Sequence, residues 1–142
     1  MKKLFYFASI VCVTLLTSCS SDSDSNSASI VGKWEYLQEG IKVGDNENLM
    51  PYDHFNGSCG KDFLEFTSNN QLLHNEYDAN CELNTYNDGT YTRSGNTISV
   101  NDGGEVVNAT IKELTSTTLK YYVPSTDGTT AVTRVLVLQK KP

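Results

Sequence analysis

The 142-residue sequence lacks the features on which several large classes of protein depend. It has no basic cluster: 11 lysines and arginines stand against 17 aspartates and glutamates, which gives a net charge of −6. So acidic a chain is expected to repel nucleic acid and anionic lipid headgroups. It has no nucleophile elbow, zinc-hydrolase motif, phosphate loop or dinucleotide fingerprint. The sequence therefore predicts no enzyme, no cofactor, no metal site and no nucleic-acid partner.

Long apolar runs are also missing, except for one at the N-terminus. Residues 4–16 are mostly apolar and follow Lys2 and Lys3. This run is shorter than the roughly 20 residues that a membrane-spanning helix needs. A basic start followed by a short apolar run is typical of a secretory signal peptide. We therefore predict a signal peptide over residues 1–18.

The end of that segment, Leu16-Thr17-Ser18-Cys19, resembles the lipobox of bacterial lipoproteins. The resemblance implies cleavage before Cys19, a thioether-linked diacylglycerol on its thiol, and acyl chains such as palmitate that anchor the protein to a membrane. An ordinary secreted protein with a cysteine near its cleavage site is the alternative. The polar tract directly after Cys19 favours the lipoprotein. The expected location is the cell envelope, at the outer membrane, on its periplasmic face or at the cell surface.

Residues 19–29 are interpreted as the lipidated cysteine and a flexible Ser/Asp linker. As a coil, ten such residues span roughly 17–19 Å. Removing residues 1–18 takes away two lysines and no acids, so the mature chain carries a net charge of −8. The linker begins like a calcium loop, but Ser27 occupies the glycine position and Lys33 the glutamate position, so calcium is not expected.

Two cysteines, Cys59 and Cys81, remain for the mature domain, because Cys12 lies in the signal peptide and Cys19 takes lipid. In an oxidising compartment they are expected to form a disulfide. Closing their loop is expected to stabilise the fold by roughly 3 kcal/mol. A metal site would recruit His54 and His74, but no metal-ligand spacing supports it.

Residues 30–142 form the predicted folded domain, with no convincing amphipathic helix. Short β-rich runs alternate with turn signals such as Asp88-Gly89 and Asp102-Gly103-Gly104. We predict about eight strands, near 30–41, 61–67, 71–78, 88–93, 97–101, 105–114, 118–124 and 131–140. Such a meander closes as an antiparallel barrel or packs as a sandwich.

The turns predict which side chains face inward. A two-residue turn at Gly95-Asn96 places Tyr91, Arg93, Ile98 and Val100 on one face. A turn at Asn69-Asn70 pairs Phe66 with Leu73 and turns Leu64, Phe66, Leu73 and Tyr77 inward. The same register pairs His74 with Glu65 at the surface, which is favoured over a catalytic role. The role of His54, in the loop before Cys59, stays open.

Two further hairpins are less regular. Ile111 and Leu114 share a face only if a bulge lies between them. A hairpin centred on Asp127-Gly128 turns Leu119, Tyr121, Val123, Val132, Arg134, Leu136 and Leu138 inward. Both arginines of the chain, Arg93 and Arg134, therefore face the interior. Arg134 is favoured as the basic residue that covers Trp34, because its strand is expected to close the barrel against the first. Arg93 is then expected to reach solvent at the rim or to bind an anionic ligand group.

The domain begins Ile30-Val31-Gly32-Lys33-Trp34, and its Gly-x-Trp resembles the lipocalin signature. The wider pattern is similar to small bacterial lipocalin-like lipoproteins. It includes Cys59-Gly60-Lys61-Asp62 before a strand, the second cysteine, Gly89-Thr90-Tyr91, and Gly95-Asn96-Thr97-Ile98. The resemblance implies an up-and-down barrel in which Trp34 plugs the closed end beneath a basic side chain. The domain is shorter than full lipocalins and lacks the helix that follows their barrel, so its lumen is expected to be small or filled.

The leading hypothesis is a lipid-anchored binding module that holds a small hydrophobic or amphipathic ligand. The rival is a structural or interaction lipoprotein of the envelope with a filled core. An open interior cavity would favour binding. The candidate ligand-binding residues are Trp34, Tyr36, Phe66, Tyr77, Tyr91, Arg93, Tyr121 and Arg134.

Overall fold

Nine antiparallel strands make up the folded part of the chain. The structure, a computed structural model, describes residues 28–127 and 130–142. The strands are β1 (Gly32–Val43), β2 (Asn46–Pro51), β3 (Phe63–Phe66), β4 (Gln71–Tyr77), β5 (Leu83–Ser94), β6 (Thr97–Asp102), β7 (Glu105–Leu114), β8 (Thr118–Asp127) and β9 (Thr130–Lys140). The predicted signal peptide, Cys12, Cys19 and all but the last two residues of the predicted linker lie outside the described residues.

Eight of these strands close into an up-and-down barrel. Strands β3 to β9 pair in sequence order, β1 pairs with β9 along most of its length, and the first part of β1 pairs with β3. Strand β2 pairs with the second part of β1, beyond the reach of the short β3. The predicted all-β antiparallel barrel is confirmed.

The ninth strand is a departure from the prediction, which placed a loop where β2 lies. Asn46, Glu47 and Asn48 have low β propensity, so the segment gave no strand signal. The structure continues β1 to Val43 and turns at Gly44, whose φ is +59°. At Gly40 the backbone of Asn48 approaches so closely that no Cβ would fit. The hairpin depends on that glycine.

The prediction for the β3–β4 hairpin was wrong by one residue. Its loop contains three residues, 68–70, closed by a hydrogen bond from the Thr67 N–H to the Gln71 carbonyl, and Asn70 is left-handed with a φ of +64°. Phe66 therefore pairs with Leu72, and Glu65 pairs with Leu73. A slip of one residue exchanges the two faces of a strand. Leu73 and Tyr77 thus face outward, and His74 faces inward instead of pairing with Glu65.

The β5–β6 register agrees with the prediction, whereas the last hairpin keeps the predicted faces but pairs two residues away from a turn centred on Asp127-Gly128. Ser94 pairs with Thr97 and Tyr91 with Val100, as the Gly95-Asn96 turn predicts. A register shift between Ile111 and Glu113 supplies the bulge that Ile111 and Leu114 require. In the last hairpin Leu119 pairs with Leu138 and Tyr121 with Leu136, which gives the predicted inner face.

Strand β5 also differs from the prediction, because it starts at Leu83 and not near residue 88. Asp88-Gly89 is not a turn but an irregularity inside the strand, where the pairing with β4 shifts. Gly89 has a φ of +103°, and Asn101 of β6 fills the space that a Cβ would need. A turn-forming dipeptide here forms a bulge, and the bulge directs Asp88 into the barrel.

The core lies inside the barrel and is built from the inner faces of its eight strands. Its buried members are Ile30, Trp34, Tyr36, Leu64, Phe66, Leu72, Tyr91, Ile98, Ala109, Ile111, Leu119, Tyr121, Leu136 and Leu138. The outer face carries a smaller contact: Glu47 of β2 accepts hydrogen bonds from Lys120 and Tyr122 of β8. The bond from Lys120 lowers the pKa of the Glu47 carboxyl. The β1–β2 hairpin therefore lies against the outside of the barrel.

Candidate ligand-binding site

A cavity of about 260 Å³ lies inside the barrel, between the inner faces of β3 to β8. Its walls are mostly apolar. They are formed by Leu64, Phe66, Leu72, Ile98, Val100, Val107, Ala109, Tyr121 and Val123, with Asp88 and Asp102. Small-molecule sites have this character, an apolar enclosure with few polar groups, although many are larger. The volume suits a small ligand.

The polar groups of the cavity are the carboxylates of Asp88 and Asp102. Neither carboxylate has a hydrogen bond or an ion pair with any residue that the structure describes. Burial raises the pKa of Asp88, the charge on His74 opposes that rise, and the charges on Asp102 and Glu76 add to it. Lysine, arginine and histidine are absent from the described residues that line the cavity. Its lining is therefore acidic without a compensating base.

Tyr121 supplies a third polar group. It is only 7% exposed, and its hydroxyl has no hydrogen-bond partner within residues 28–127 and 130–142. Burial raises the pKa of its phenol well above the ordinary value, and the charge on Asp88 adds to the rise. Its oxygen is not among the fully buried unpartnered atoms, so the hydroxyl at the end of this buried ring stays accessible from the cavity. A ligand in the cavity can supply that partner.

Trp34 plugs the end of the barrel at which β1 begins. It is fully buried, and its indole N–H donates to the Ile30 carbonyl over 2.7 Å. The Lys140 ammonium lies 4.3 Å from the centre of the Trp34 ring and donates to the Val31 carbonyl over 2.7 Å. The predicted basic cover is present, but it is Lys140 and not Arg134. Trp34 closes this end and does not line the cavity.

Tyr36 fills another part of the interior. Its ring stacks on Tyr52 at 4.4 Å and meets His74 edge to face at 5.7 Å. Burial raises the pKa of Tyr36 well above its ordinary value. The Nε2 atom of His74 is buried and lies 3.2 Å from Glu76 Oε1, without hydrogen-bond geometry. This packing reduces the open volume to the part between β3 and β8.

Both arginines lie outside the cavity lining. Arg93 is at the closed end, where it donates to the carbonyls of Gly95 at 2.9 Å and Ala28 at 3.2 Å. Arg134 donates to Glu39 Oε2 over 2.7 Å, and this bond raises its pKa. Its side chain is half exposed. These contacts match the predicted rim or structural roles and give no support to an anion site.

The family profile of the lipocalin-like domain matches residues 30–121. The chain belongs to the lipocalin-like domain family. Among solved structures it is similar to one titled Odorant Binding Protein OBP1, with 12% identity and a TM-score of 0.43, over 78% of this chain and 71% of that one. Among curated proteins, nothing matches significantly.

The loop over residues 53–62 of this lipocalin-like domain is organised by Asp62. Its fully buried carboxylate accepts from the N–H groups of Phe55 at 2.8 Å and Tyr77 at 3.3 Å. Its own N–H donates to His54 Nδ1 over 3.0 Å, which gives His54 a structural role. Tyr77, a predicted ligand residue, instead lies under this loop against Gly60, where a Cβ would collide with its ring.

The predicted disulfide closes the same loop. Cys59 is bonded to Cys81, and their Cα atoms lie 5.0 Å apart. The bond ties the loop before β3 to the turn between β4 and β5. Asn56 strengthens this connection by donating to the Asp78 carbonyl over 2.7 Å.

Of the eight candidate ligand residues, Phe66 and Tyr121 line the cavity of the lipocalin-like domain. Tyr91 supports Phe66 edge to face at 5.0 Å, and its hydroxyl donates to the Thr67 carbonyl. Sequence reasoning missed both aspartates because they were interpreted only as turn formers. Extending the alternation of Ile98 and Val100 by one step would have placed Asp102 on the inner face. Asp88 gave no such signal, since the bulge resets the alternation.

Two further observations concern metal-binding groups and membrane-spanning helices in the described residues. Within them, no three His, Cys, Asp or Glu side chains gather where they could hold a metal ion. No helix in the same ranges is long and apolar enough to cross a bilayer.

Proposed function

We propose that this protein is a lipid-anchored extracytoplasmic binding module that holds a small, partly apolar molecule in the barrel cavity. The observation that carries the proposal is the cavity itself, a largely apolar space of about 260 Å³ that is lined by six strands and partly open to solvent. A structural lipoprotein with a filled core, the alternative, would be packed at ordinary interior density throughout. The open volume supports the binding function.

The direction of the chain fits an anchor at Cys19. Ala28 lies at the closed end of the barrel, where Arg93 bonds its carbonyl. The aspartates of the cavity lie towards the opposite end, near the β6–β7 turn. An anchor attached from the side of Ala28 leaves the acidic part of the cavity facing away from the membrane, where a soluble ligand can enter.

Binding is tested by titrating the mature domain with octanol in a calorimeter, after native mass spectrometry of protein purified from its host. We expect saturable binding at one site, and a retained small molecule in the spectrum of the native protein. Ala109→Leu places extra carbon atoms in the cavity and should abolish octanol binding while the barrel stays folded. Thr110→Leu, at the exposed neighbouring position on β7, is the matched control and should bind like wild type. Equal binding by both variants would reject the cavity as the site.

The anchor has a separate test. Cys19→Ser should leave a precursor that keeps residues 1–18 and incorporates no labelled palmitate. Normal maturation and membrane retention of this variant would refute lipidation without bearing on ligand binding.

A further inference from the structure

The cavity has an uneven distribution of polar groups. Towards the end that Trp34 closes, the cavity is apolar. Its walls there are side chains such as Leu64, Phe66 and Ile98, which are all nearly fully buried. The carboxylates of Asp88 and Asp102 stand at the other end, on neighbouring strands. A cavity that is apolar at one end and acidic at the other is complementary to a molecule with an apolar body and a positively charged head.

From this arrangement we infer that the cavity selects amphipathic amines. The apolar body of the ligand packs against the apolar walls, and its ammonium group lies between Asp88 and Asp102, within reach of the Tyr121 hydroxyl. This inference rests on the proposed binding function and adds the chemical class of the ligand.

Three observations support the class independently of one another. Both carboxylates lack a hydrogen bond or ion pair with any described residue, so they are available to a cation. The Tyr121 ring is buried, and its hydroxyl, accessible from the cavity and also without a partner in that part of the chain, can accept a hydrogen bond from the ammonium. Both arginines are engaged elsewhere, Arg134 by Glu39 and Arg93 by Ala28. An anionic head would therefore meet two carboxylates and no available cation.

The groups around Asp88 strengthen the electrostatic preference. The side chains that influence its carboxyl are His74 and Glu76 of β4 and Asp102 of β6, and its charge is felt by Tyr36 of β1 and Tyr121 of β8. Acids outnumber the one histidine among them. Burial and the neighbouring acids raise the pKa of Asp88, which means that its charged form lacks adequate stabilisation in the empty cavity. A bound ammonium would stabilise that form.

The test compares three probes that share one alkyl chain: octylamine, octanol and octanoate, titrated by calorimetry at neutral pH and low salt. We expect octylamine to bind at least about tenfold more tightly than octanol, because hydrogen bonds to charged groups are worth that ratio or more. Octanoate should bind more weakly than octanol. Added salt should reduce the advantage of octylamine, since part of the cavity is open to solvent.

The decisive variant is Asp88→Asn/Asp102→Asn, which should bind octylamine no better than octanol. Asp45→Asn/Glu82→Asn changes the net charge equally at exposed positions and should keep the preference for octylamine. Tyr121→Phe should reduce octylamine binding by a smaller factor.

The outcomes separate this inference from the proposed function. Equal affinity of wild type for octylamine, octanol and octanoate would overturn the amine selectivity and leave the binding function intact. A preference for octylamine that persists in Asp88→Asn/Asp102→Asn would overturn the assigned carboxylates. Binding of none of the three probes would overturn the binding function, and the amine selectivity with it.

Discussion

Lys140 and Trp34 form a paired closure at one end of the barrel, with the ammonium 4.3 Å from the centre of the indole ring. Burial lowers the pKa of Lys140, so the charge is held in partly desolvated surroundings, where a cation–π contact is strongest. Gly32 makes this geometry possible. It has a φ of +126°, and the Lys140 side chain passes through the space that its Cβ would occupy. The Gly-x-Trp pattern is therefore explained by a lysine more than a hundred residues away in sequence.

We expect Trp34→Ala to lower the free energy of unfolding by about 3–5 kcal/mol, because it removes the largest fully buried side chain of the core. Chemical denaturation monitored by circular dichroism measures the change. Phe55→Ala is the control, since Phe55 is 72% exposed and its removal should cost little. Equal losses in the two variants would contradict the closure role of Trp34.

Gly32→Ala should destabilise the domain by about 1–3 kcal/mol, since an L-residue is strained at this φ and its Cβ must displace the Lys140 ammonium. Gly44→Ala is the comparison: Gly44 is also at positive φ, but no atom lies within 4 Å of the position that its Cβ would take. In thermal melts, Gly32→Ala should lose more than Gly44→Ala. In a Lys140→Ala background the difference between the two variants should shrink, because the collision with the ammonium is removed while the backbone strain at Gly32 remains.

Reduction of the Cys59–Cys81 bond should cost about 3 kcal/mol, the loop-closure contribution for a separation of 22 residues. Wild type should show no free thiol from this pair in its native state, and reductant should lower its melting temperature. The variant Cys59→Ser/Cys81→Ser should have the melting temperature of the reduced protein, and added reductant should not change that temperature. Reactive thiols in the native, oxidised protein would show that the bond is not formed.

Sequence patterns predicted the features of this fold that depend on local alternation and tight turns. Gly95-Asn96 gave the correct register because a two-residue turn leaves no freedom in pairing. Asn69-Asn70 led to the wrong register because the left-handed Asn70 belongs to a three-residue loop and not to a two-residue turn. One extra loop residue exchanges the inner and outer faces of β4. Asparagine suits either loop, so only the tertiary contacts of Phe66 and Leu72 decide between them.

The cavity was harder to predict than the fold for a related reason. The bulge at Gly89 depends on the close approach of Asn101 on the next strand, which no local pattern encodes. That bulge turns Asp88 inward, and Tyr52, from the loop after β2, fills the space beside Tyr36. The candidate tyrosines were therefore correctly placed inside in three of four cases, yet only Tyr121 lines the open volume.

Asp88 should make the empty protein less stable at neutral pH than a neutral side chain would. Burial raises the pKa of Asp88 in the folded state above the value of about 3.9 expected in the unfolded chain. A carboxyl with a raised folded pKa favours the native state while it is protonated, below the unfolded pKa, and that contribution is lost as the pH rises through the folded pKa. Asp88→Asn never ionises, so its melting temperature should match wild type near pH 3 and exceed it at pH 7.

Asp45→Asn, at an exposed site beside Lys42, is the control and should show no such gain in melting temperature. Saturating octylamine should stabilise wild type at pH 7 and shrink the difference, because the bound ammonium compensates the buried charge. Destabilisation of Asp88→Asn at every pH would instead mean that the carboxylate holds the empty barrel together.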